Sequence, residues 1–456
     1  MSADPASFRD PAGRIFVERG RVFRAIAEHA VADFDVAHQN PALRRQVDQG
    51  GVIASSAAND CGIRAAKVVE HPRLPFVSYP YEWPFALLKR AALHHLDLQI
   101  TLLQGGISLS DASAYNVQFH GPRPIFIDAL SFRPYTEGEH WVGHRQFCEQ
   151  FLNPLLLHSV LGVPHNAWFR GSLEGVPTDA LARLMPFARR FSPRIAAHVM
   201  LSARLQHGAD AAAKAKAAAA RPLSRNAYLG LLTDLRVWIS GLRLYGAKRT
   251  LWGDYAERNS YSGEERAAKQ DVVARFAARA RPKLMFDFGC NSGLYSETAL
   301  AAGAHYAVGF DADHGALEAA CARAAEKKLQ FLPLYQDAAN PSPGQGWDGR
   351  ERQDLVSRGP AEALVALAFV HHIAIGRNVP LDRFIDWLLA LAPTGVVEFV
   401  PKSDPMVARL LALRKDIFPD YAIESFRSLI ARQARIVEST EITATGRTLI
   451  VYDRRK

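Results

Sequence analysis

The sequence predicts an α/β protein in which a mostly parallel sheet occupies residues 246–456 and an α-rich region precedes it. Three observations support this fold class. Apolar runs alternate with helical stretches from residue 283 onwards, and a glycine turn follows the first of these runs. Two further strand-like runs, joined by a turn at Thr445 and Gly446, predict an antiparallel C-terminal hairpin that closes the parallel sheet.

The segment 283–313, KLMFDFGCNSGLYSETALAAGAHYAVGFDAD, contains the most informative pattern. An apolar run leads into Asp287, Gly289 and Gly293 flank a tight turn, and a helical stretch follows. Glycine permits the left-handed backbone of such a turn and lets a ligand approach closely. A second apolar run ends at Asp311, where a βαβ unit places a carboxylate against ribose hydroxyls. The segment is therefore predicted to bind a cofactor that contains a nucleoside.

The glycine loop itself, D-F-G-C-N-S-G, lacks the G-x-G-x-x-G spacing of dinucleotide-binding folds. It resembles motif I of the class I S-adenosylmethionine-dependent methyltransferases, commonly D/E-x-G-x-G-x-G, with Asn291 in place of the middle glycine. Asparagine tolerates left-handed geometry better than most residues. The resemblance covers about residues 250–456 and implies a Rossmann-like domain with S-adenosyl-L-methionine as cofactor. Alternatively, the segment is an ordinary βαβ turn whose asparagine caps the helix.

The same resemblance implies roles for polar residues further along the chain. In this fold a carboxylate after the third strand faces the adenine amino group. Gln336 and Asp337 stand in that place, at the end of the strand-like run LQFLPLYQ. Together with Asp287, the glycine loop and Asp311, they complete the predicted cofactor site.

The fourth strand is predicted to be the apolar run EALVALAFVHHIAI, with His371 and His372 at its carboxyl end. A histidine pair there resembles the corresponding segment of small-molecule methyltransferases, where an imidazole could accept a proton from a hydroxyl substrate. Because a strand alternates sides, at most one of the two should face the acceptor. Alternatively, the pair only packs. The fifth run, GVVEFVPKSDP, adds Glu398 to the same edge as a further catalytic candidate.

The region 14–135 resembles the C-terminal lobe of kinase-like phosphotransferases. Asp111 and Asn116 have the D-x-x-x-x-N spacing of a kinase catalytic loop, and Asp128 follows where a metal-binding aspartate would stand. A long helix is predicted before them, over Pro84 to Leu103. The glycine-rich loop and V-A-I-K lysine of kinases are missing from the sequence, so productive ATP binding is not expected. Alternatively, these polar residues only cap turns.

Composition separates the chain into three predicted parts. Residues 1–205 form the N-terminal domain, 206–245 an Ala/Lys-rich linker with a connecting helix, and 246–456 the cofactor-binding domain. Just before motif I, the aromatics Trp252, Tyr255 and Tyr261 are placed either to form a lid over the cofactor or to pack on the sheet.

The overall charge and the cysteines narrow the class of protein further. The 55 basic and 46 acidic residues give a net charge of +9, a modest excess in 456 residues, so a small-molecule acceptor is favoured over nucleic acid. No long apolar run or signal sequence is found, which predicts a cytoplasmic protein without a membrane partner. The cysteines form no C-x-x-C pair and are predicted to be free thiols.

Metal binding is not expected from the sequence. His140, His144 and His158 lie in an apolar, Trp- and Phe-rich stretch that suits packed or surface histidines better than ligands. The leading prediction is a methyltransferase whose N-terminal domain recruits or orients the substrate. A bifunctional enzyme with a nucleotide-binding N-terminal domain and a non-catalytic cofactor-binding protein are the alternatives. The acceptor and the oligomeric state are not specified by the sequence.

Overall fold

The computed structural model describes residues 3–58, 61–206, 222–246, 263–412 and 415–455. The aromatics Trp252, Tyr255 and Tyr261, for which a lid was considered, lie outside the described residues, as does most of the Ala/Lys-rich stretch.

The N-terminal part mixes short strands with helices. Its strands are β1 (Gly13–Glu18), β2 (Arg21–Ile26), β3 (Ser56–Ala57), β4 (Lys67–His71), β5 (Ile107–Leu109), β6 (Val117–His120), β7 (Arg123–Phe126) and β8 (Phe132–Pro134). Its helices are α1 (Glu28–Gln39), α2 (Pro41–Asp48), α3 (Phe85–Gln104), α4 (His144–Phe147), α5 (Asn153–Val160), α6 (Asn166–Gly171), α7 (Thr178–Leu184), α8 (Pro193–Ile195), α9 (Ser202–Gln206) and α10 (Arg225–Gly241). Two π-helical turns, Cys148–Leu152 and Ala196–Leu201, continue α4 and α8.

The C-terminal part alternates strands and helices. The strands are β9 (Met285–Phe288), β10 (Ala307–Asp311), β11 (Phe331–Tyr335), β12 (Ala363–Ala366), β13 (Thr394–Phe399), β14 (Arg435–Glu441) and β15 (Thr448–Asp453). The helices are α11 (Gly263–Ala280), α12 (Leu294–Ala301), α13 (His314–Glu326), α14 (Val370–Ala374), α15 (Leu381–Leu391), α16 (Pro405–Leu411) and α17 (Ile423–Ala431).

The C-terminal strands form one seven-stranded sheet with the order β11-β10-β9-β12-β13-β15-β14. The five strands from β11 to β13 are parallel, and β15 runs antiparallel to both of its neighbours. The predicted parallel sheet with an antiparallel C-terminal hairpin is therefore confirmed. The strand order reverses at β9, because the chain moves outward to β10 and β11 and then returns to β12. Ligands of open α/β sheets bind in the crevice at such a switch point.

The end of the fourth strand differs from the prediction. The strand was expected to reach His371 and His372, but β12 ends at Ala366 and both histidines lie in the short helix α14. Ala368 lies between β12 and α14 and has a φ of 49°, a left-handed conformation that does not continue a strand. An uninterrupted apolar run does not distinguish a buried strand from a buried helix, which is why periodicity misplaced this boundary.

The expectation of an α-rich N-terminal region is incomplete, since a four-stranded antiparallel sheet with the order β1-β2-β4-β3 begins the described chain. The turn between β1 and β2 consists of Arg19 and Gly20, whose φ angles are 49° and 80°. Two left-handed residues match the right-handed twist of a hairpin, so this turn favours two paired strands over a helix. The predicted long helix is confirmed as α3, and β6 and β7 form an antiparallel hairpin after it.

The N-terminal part packs on one face of the seven-stranded sheet. Phe76 contacts Phe286 edge-on at 5.6 Å between ring centroids and Phe310 at 6.2 Å. The same hydrophobic cluster includes Trp83 and Leu88 next to the sheet residues, all of them buried. The two parts of the chain therefore share a continuous apolar core.

Buried polar contacts join the two parts as well. Glu82 and Arg358 form an ion pair whose side chains are 1% and 2% exposed. The Ser342 hydroxyl donates to Glu82 at 2.6 Å, and the guanidinium of Arg358 lies over the rings of Phe76 and Tyr79. A charge this deeply buried has to be paired, so the pair fixes the relative position of the two parts.

Two further findings concern membrane spans and cysteines. Within the described ranges, no helix has the length and apolar content needed to cross a membrane. The four cysteines are free, as predicted.

Candidate functional site

The glycine loop after β9 adopts the left-handed geometry that the sequence predicts. Gly289, Asn291 and Gly293 have φ angles of 71°, 47° and 79°. A Cβ atom at Gly293 would lie 2.4 Å from the ring of Phe331, so only glycine fits there. The amide of Gly289 donates to the carbonyl of Phe310 at 2.8 Å. This bond holds the loop at the carboxyl end of the sheet, where α12 begins.

Asp287 lies beneath this loop and not at its surface. Its side chain is buried and accepts a hydrogen bond of 2.6 Å from the Ser296 hydroxyl in α12. Burial raises the pKa of Asp287 to about 7. The residue thus ties the start of α12 to β9, which is a positioning role, and it offers no exposed oxygen to a cofactor.

Asp311 lies directly beside the glycine loop. One carboxyl oxygen accepts from the Asn291 amide at 2.8 Å, and the other accepts from the Asp313 amide at 2.9 Å. Burial is the main cause that raises the pKa of this half-buried group. The Asn291 side chain accepts from the next amide, Ser292, at 2.7 Å, so it stabilises the loop. The structure therefore brings Asn291 and Asp311 together at the switch point.

Gln336 and Asp337 follow β11 at the same edge of the sheet. The Gln336 amide donates to the Asp311 carbonyl at 2.8 Å, so the two strand ends are adjacent. The Gln336 side chain is buried, and its amide end lies 3.0 Å from the Ser342 hydroxyl, which donates its one proton to Glu82. Asp337 is half-buried and pairs with Arg377 at 3.3 Å.

The histidine pair lies on α14, a few residues beyond the loop that contacts Gly289. The rings of His371 and His372 are 4.1 Å apart, with only His372 partly exposed. Burial lowers the pKa of His371 well below its usual value and that of His372 to about 4. Both imidazoles are therefore neutral at neutral pH. Because the pair is helical, the expected alternation between two sides of a strand does not apply.

Glu398 was expected at the exposed edge, and the structure places it elsewhere. Its side chain is fully buried within β13, where its two oxygens accept from Lys269 at 2.7 Å and from Arg447 at 3.1 Å. The Ala368 amide also donates to it at 2.7 Å. Arg447 continues to Asp404, with contacts of 2.6 and 3.0 Å. This set of ion pairs holds the loop between β12 and α14 in place through the bond from Ala368 to Glu398.

Lys269 and Arg447 are residues that sequence reasoning missed. Both are almost fully buried, and both act on the pKa of His371 through their positive charge. Lys269 interrupts an apolar face of α11, and a lysine on such a face is rarely buried unless it is paired. The position of Lys269 on this face therefore indicated a buried ion pair, but its partner Glu398 on β13 could not be identified from the sequence.

A groove lies next to α14 among the described residues. It has a volume of about 780 Å³ and is lined by Ala374, residues 378–382 and 417–421, and by α17. Pockets of about 300–1,000 Å³ are typical of small-molecule sites. The groove therefore has the size of a small-molecule site, and it reaches α14 at Ala374, although neither histidine lines it.

Comparison with known proteins gives one relative along nearly the whole chain. No protein-family model matches the sequence. The chain is 45% identical over 455 residues to the nodulation protein NoeA of Rhizobium meliloti strain 1021, covering 98% of this chain and 95% of that protein.

Several solved structures are similar to part of the chain. Magnesium protoporphyrin IX methyltransferase (ChlM) from Synechocystis PCC 6803 is 17% identical over 44% of this chain and 94% of its own, with a TM-score of 0.32. The N-methyltransferase NodS from Bradyrhizobium japonicum WM9 is 14% identical over 43% of this chain and 99% of its own, with a TM-score of 0.31. Scores of this size do not establish a shared fold.

Proposed function

The chain belongs to the family of the nodulation protein NoeA, and we propose that it is a class I S-adenosylmethionine-dependent methyltransferase acting on a small-molecule acceptor. The contact between the Asn291 amide and the Asp311 carboxyl group carries this proposal. It joins a left-handed glycine loop to a half-buried carboxyl group at the switch point of the sheet. A loop of this shape, the start of a helix and a neighbouring carboxylate are what nucleoside binding requires.

The residues around the loop fit this cofactor. Asp311 would hold the ribose hydroxyls, and the backbone of Gly289 and Gly293 would allow close approach. Asp337 would face the adenine amino group. Gln336 would border the adenine at the same edge, since its backbone amide donates to the Asp311 carbonyl at 2.8 Å.

Methyl transfer requires little covalent chemistry from the protein. S-adenosylmethionine, when bound, supplies a methyl group that its sulfonium has already activated. The chain has to hold the acceptor in line and keep water away. His372 is the candidate to accept the acceptor's proton, because His371 is only 1% exposed. With a pKa of about 4, His372 is neutral at pH 7 but a weak base, so it orients a hydroxyl or amine by hydrogen bonding.

The groove beside α14 supports a small-molecule acceptor by its size. The test is incubation of the protein with methyl-labelled S-adenosylmethionine and cell extract. Label in the low-molecular-weight fraction is expected. Label in protein or nucleic acid would contradict a small-molecule acceptor, and binding without any labelled product would favour a non-catalytic cofactor-binding protein. A cytoplasmic location stays a prediction from the sequence.

We further propose that the N-terminal part is kinase-like in fold but does not transfer phosphate. The motif residues lie together: the Ser131 hydroxyl is 3.0 Å from Asp111 and 2.6 Å from Asp128, and Asn116 donates to Asp111 at 3.0 Å. Asp128, however, is paired with Arg24 at 2.9 Å. A carboxylate that is already paired with a guanidinium is less available to bind the magnesium ion that holds the phosphates of ATP. Orientation of the substrate is the role we assign to this part.

Thermal unfolding with and without magnesium and ATP tests this assignment. No stabilisation is expected, since a ligand raises the midpoint only if it binds the folded chain. A rise that disappears in the Asp128→Ala variant would establish the alternative, a bifunctional enzyme with a nucleotide-binding N-terminal domain.

A further inference from the structure

Three side chains with metal-binding atoms meet in the N-terminal part, and neither proposed site uses them. They are His144, Cys148 and His198, whose ligand atoms all lie within 4.8 Å of one another. The Sγ of Cys148 is 3.7 Å from the Nε2 of His144. Zinc bonds of about 2.3 Å to sulfur and about 2.0 Å to nitrogen at a tetrahedral angle place two ligands roughly 3.5 Å apart. This pair already has nearly the required separation.

The backbone around these residues is unusual. His144 and Cys148 are four residues apart on one continuous helical segment and therefore point to the same side. Cys148 begins the π-helical turn Cys148–Leu152, and His198 lies in the other π-helical turn, Ala196–Leu201. Such turns are rare and occur frequently at functional sites. Both helical segments that supply the three side chains thus contain a π-helical turn.

The surroundings favour a nitrogen and sulfur ligand set. Cys148 and His198 are 2% and 8% exposed, so solvent competes little for them. The carboxylates nearby are already engaged, Glu149 by Arg145 at 3.0 Å and Asp234 by Arg194 at 2.7 Å. A group without free carboxylates disfavours magnesium and calcium, which prefer oxygen ligands.

The two histidine rings are also held in place by aromatic neighbours. Trp141 lies 5.5 Å from the ring of His144, and Trp238 lies 5.8 Å from the ring of His198. Among the residues that the structure describes, no hydrogen bond occupies a ring nitrogen of His198. No hydrogen bond therefore has to break when a ring nitrogen of His198 binds a metal ion.

We propose that His144, Cys148 and His198 bind one zinc ion, with a fourth position open to water or another small ligand. On binding, the Cys148 thiol releases its proton to solvent, the thiolate sulfur forms the bond to zinc, and no atom changes oxidation state. The ion joins two helical segments that are 50 residues apart in the chain, from Cys148 to His198. This site departs from the sequence-based expectation of no metal.

Cobalt substitution tests the ligand set directly. The full-length protein is treated with a chelator, dialysed and titrated with Co²⁺, then with Zn²⁺. One equivalent of Co²⁺ is expected to produce a thiolate-to-metal charge-transfer band that Zn²⁺ abolishes. Cys148→Ser should remove the band, and His198→Gln should weaken Zn²⁺ affinity by at least the roughly 10–100-fold that loss of an outer-shell partner costs.

Cys61→Ser is the matched control, because Cys61 is a half-buried free thiol outside the group. Its charge-transfer band should equal that of the wild type. The thermal midpoints without metal show whether the Cys148→Ser and His198→Gln proteins are folded. Absence of a band in the wild type, a band that persists in Cys148→Ser, or a band lost in Cys61→Ser would overturn the assignment.

Discussion

At the scale of single residues, Asp311 connects the glycine loop to the second strand of the sheet. Its removal leaves the proposed ribose hydroxyls without a partner. We predict that Asp311→Ala weakens S-adenosylmethionine binding by about 1–3 kcal/mol, measured by calorimetry. Asp311 also accepts from the Asn291 amide, so Asp311→Ala removes a loop contact as well. Asp311→Asn is therefore measured beside it, because asparagine keeps one acceptor oxygen. Unchanged affinity in Asp311→Ala would contradict a role for this carboxyl group in cofactor binding.

His372 gives a second prediction at this scale. If it accepts a hydrogen bond or proton from the acceptor, His372→Ala should lower turnover by about 10²–10⁴ with little change in cofactor affinity. The neutral ring is present above its lowered pKa of about 4, so turnover should stay level as pH falls from 7 through 6.5 and decline only toward about 4. The exposed His305 provides the control, as His305→Ala should change neither property.

A decline centred near pH 6.5 would contradict the burial of this ring. Once an acceptor that the wild type methylates is known, normal turnover in His372→Ala would show that the histidine pair is structural. Glu398 would not replace it easily, because its oxygens are engaged by Lys269 and Arg447.

At the scale of elements, helix α11 is fixed to strand β13 by the buried pair of Lys269 and Glu398, 1% and 0% exposed. Without the lysine, Arg447 is the one cation shared by the two buried carboxylates of Glu398 and Asp404, so one buried negative charge is uncompensated. We predict that Lys269→Met lowers the free energy of unfolding by about 3–5 kcal/mol, measured by urea denaturation. Lys283→Met changes an exposed lysine nearby and should stay within about 0.5 kcal/mol of the wild type. An equally small effect of Lys269→Met would mean that the pair contributes no net stability.

The elements that the sequence predicted correctly have strong local signals. The order of strands and helices from β9 to β15 follows from hydrophobic period and turn residues. Gly289 and Gly293 mark the loop because both have a positive φ, and a Cβ at Gly293 would collide with Phe331. The end of β12 was misplaced because the run that contains His371 is apolar throughout. The partners of Glu398 and the approach of His198 to Cys148 are contacts between distant segments, and no local pattern encodes them.

At the scale of the whole molecule, the two parts of the chain share one core and one buried ion pair. The division at residues 205 and 246 stays a prediction, but Glu82 and Arg358 lie on opposite sides of it. We predict a single calorimetric unfolding transition, whose midpoint falls in Arg358→Met because that change leaves Glu82 buried without its partner, at a cost of about 3–5 kcal/mol. Arg350→Met, at a 76% exposed side chain, should leave the midpoint in place. Two separate transitions in the wild type would contradict a shared core.

The central claim is that the chain binds S-adenosylmethionine at the loop between β9 and α12, and titration calorimetry tests it most directly. We predict that the wild-type protein binds one molecule of S-adenosylmethionine or S-adenosylhomocysteine per chain, and that Asp311→Ala weakens this binding. NAD should give no heat, because the loop lacks the dinucleotide spacing. No binding of S-adenosylmethionine to the folded wild-type protein, or tight binding of NAD in its place, would contradict the account.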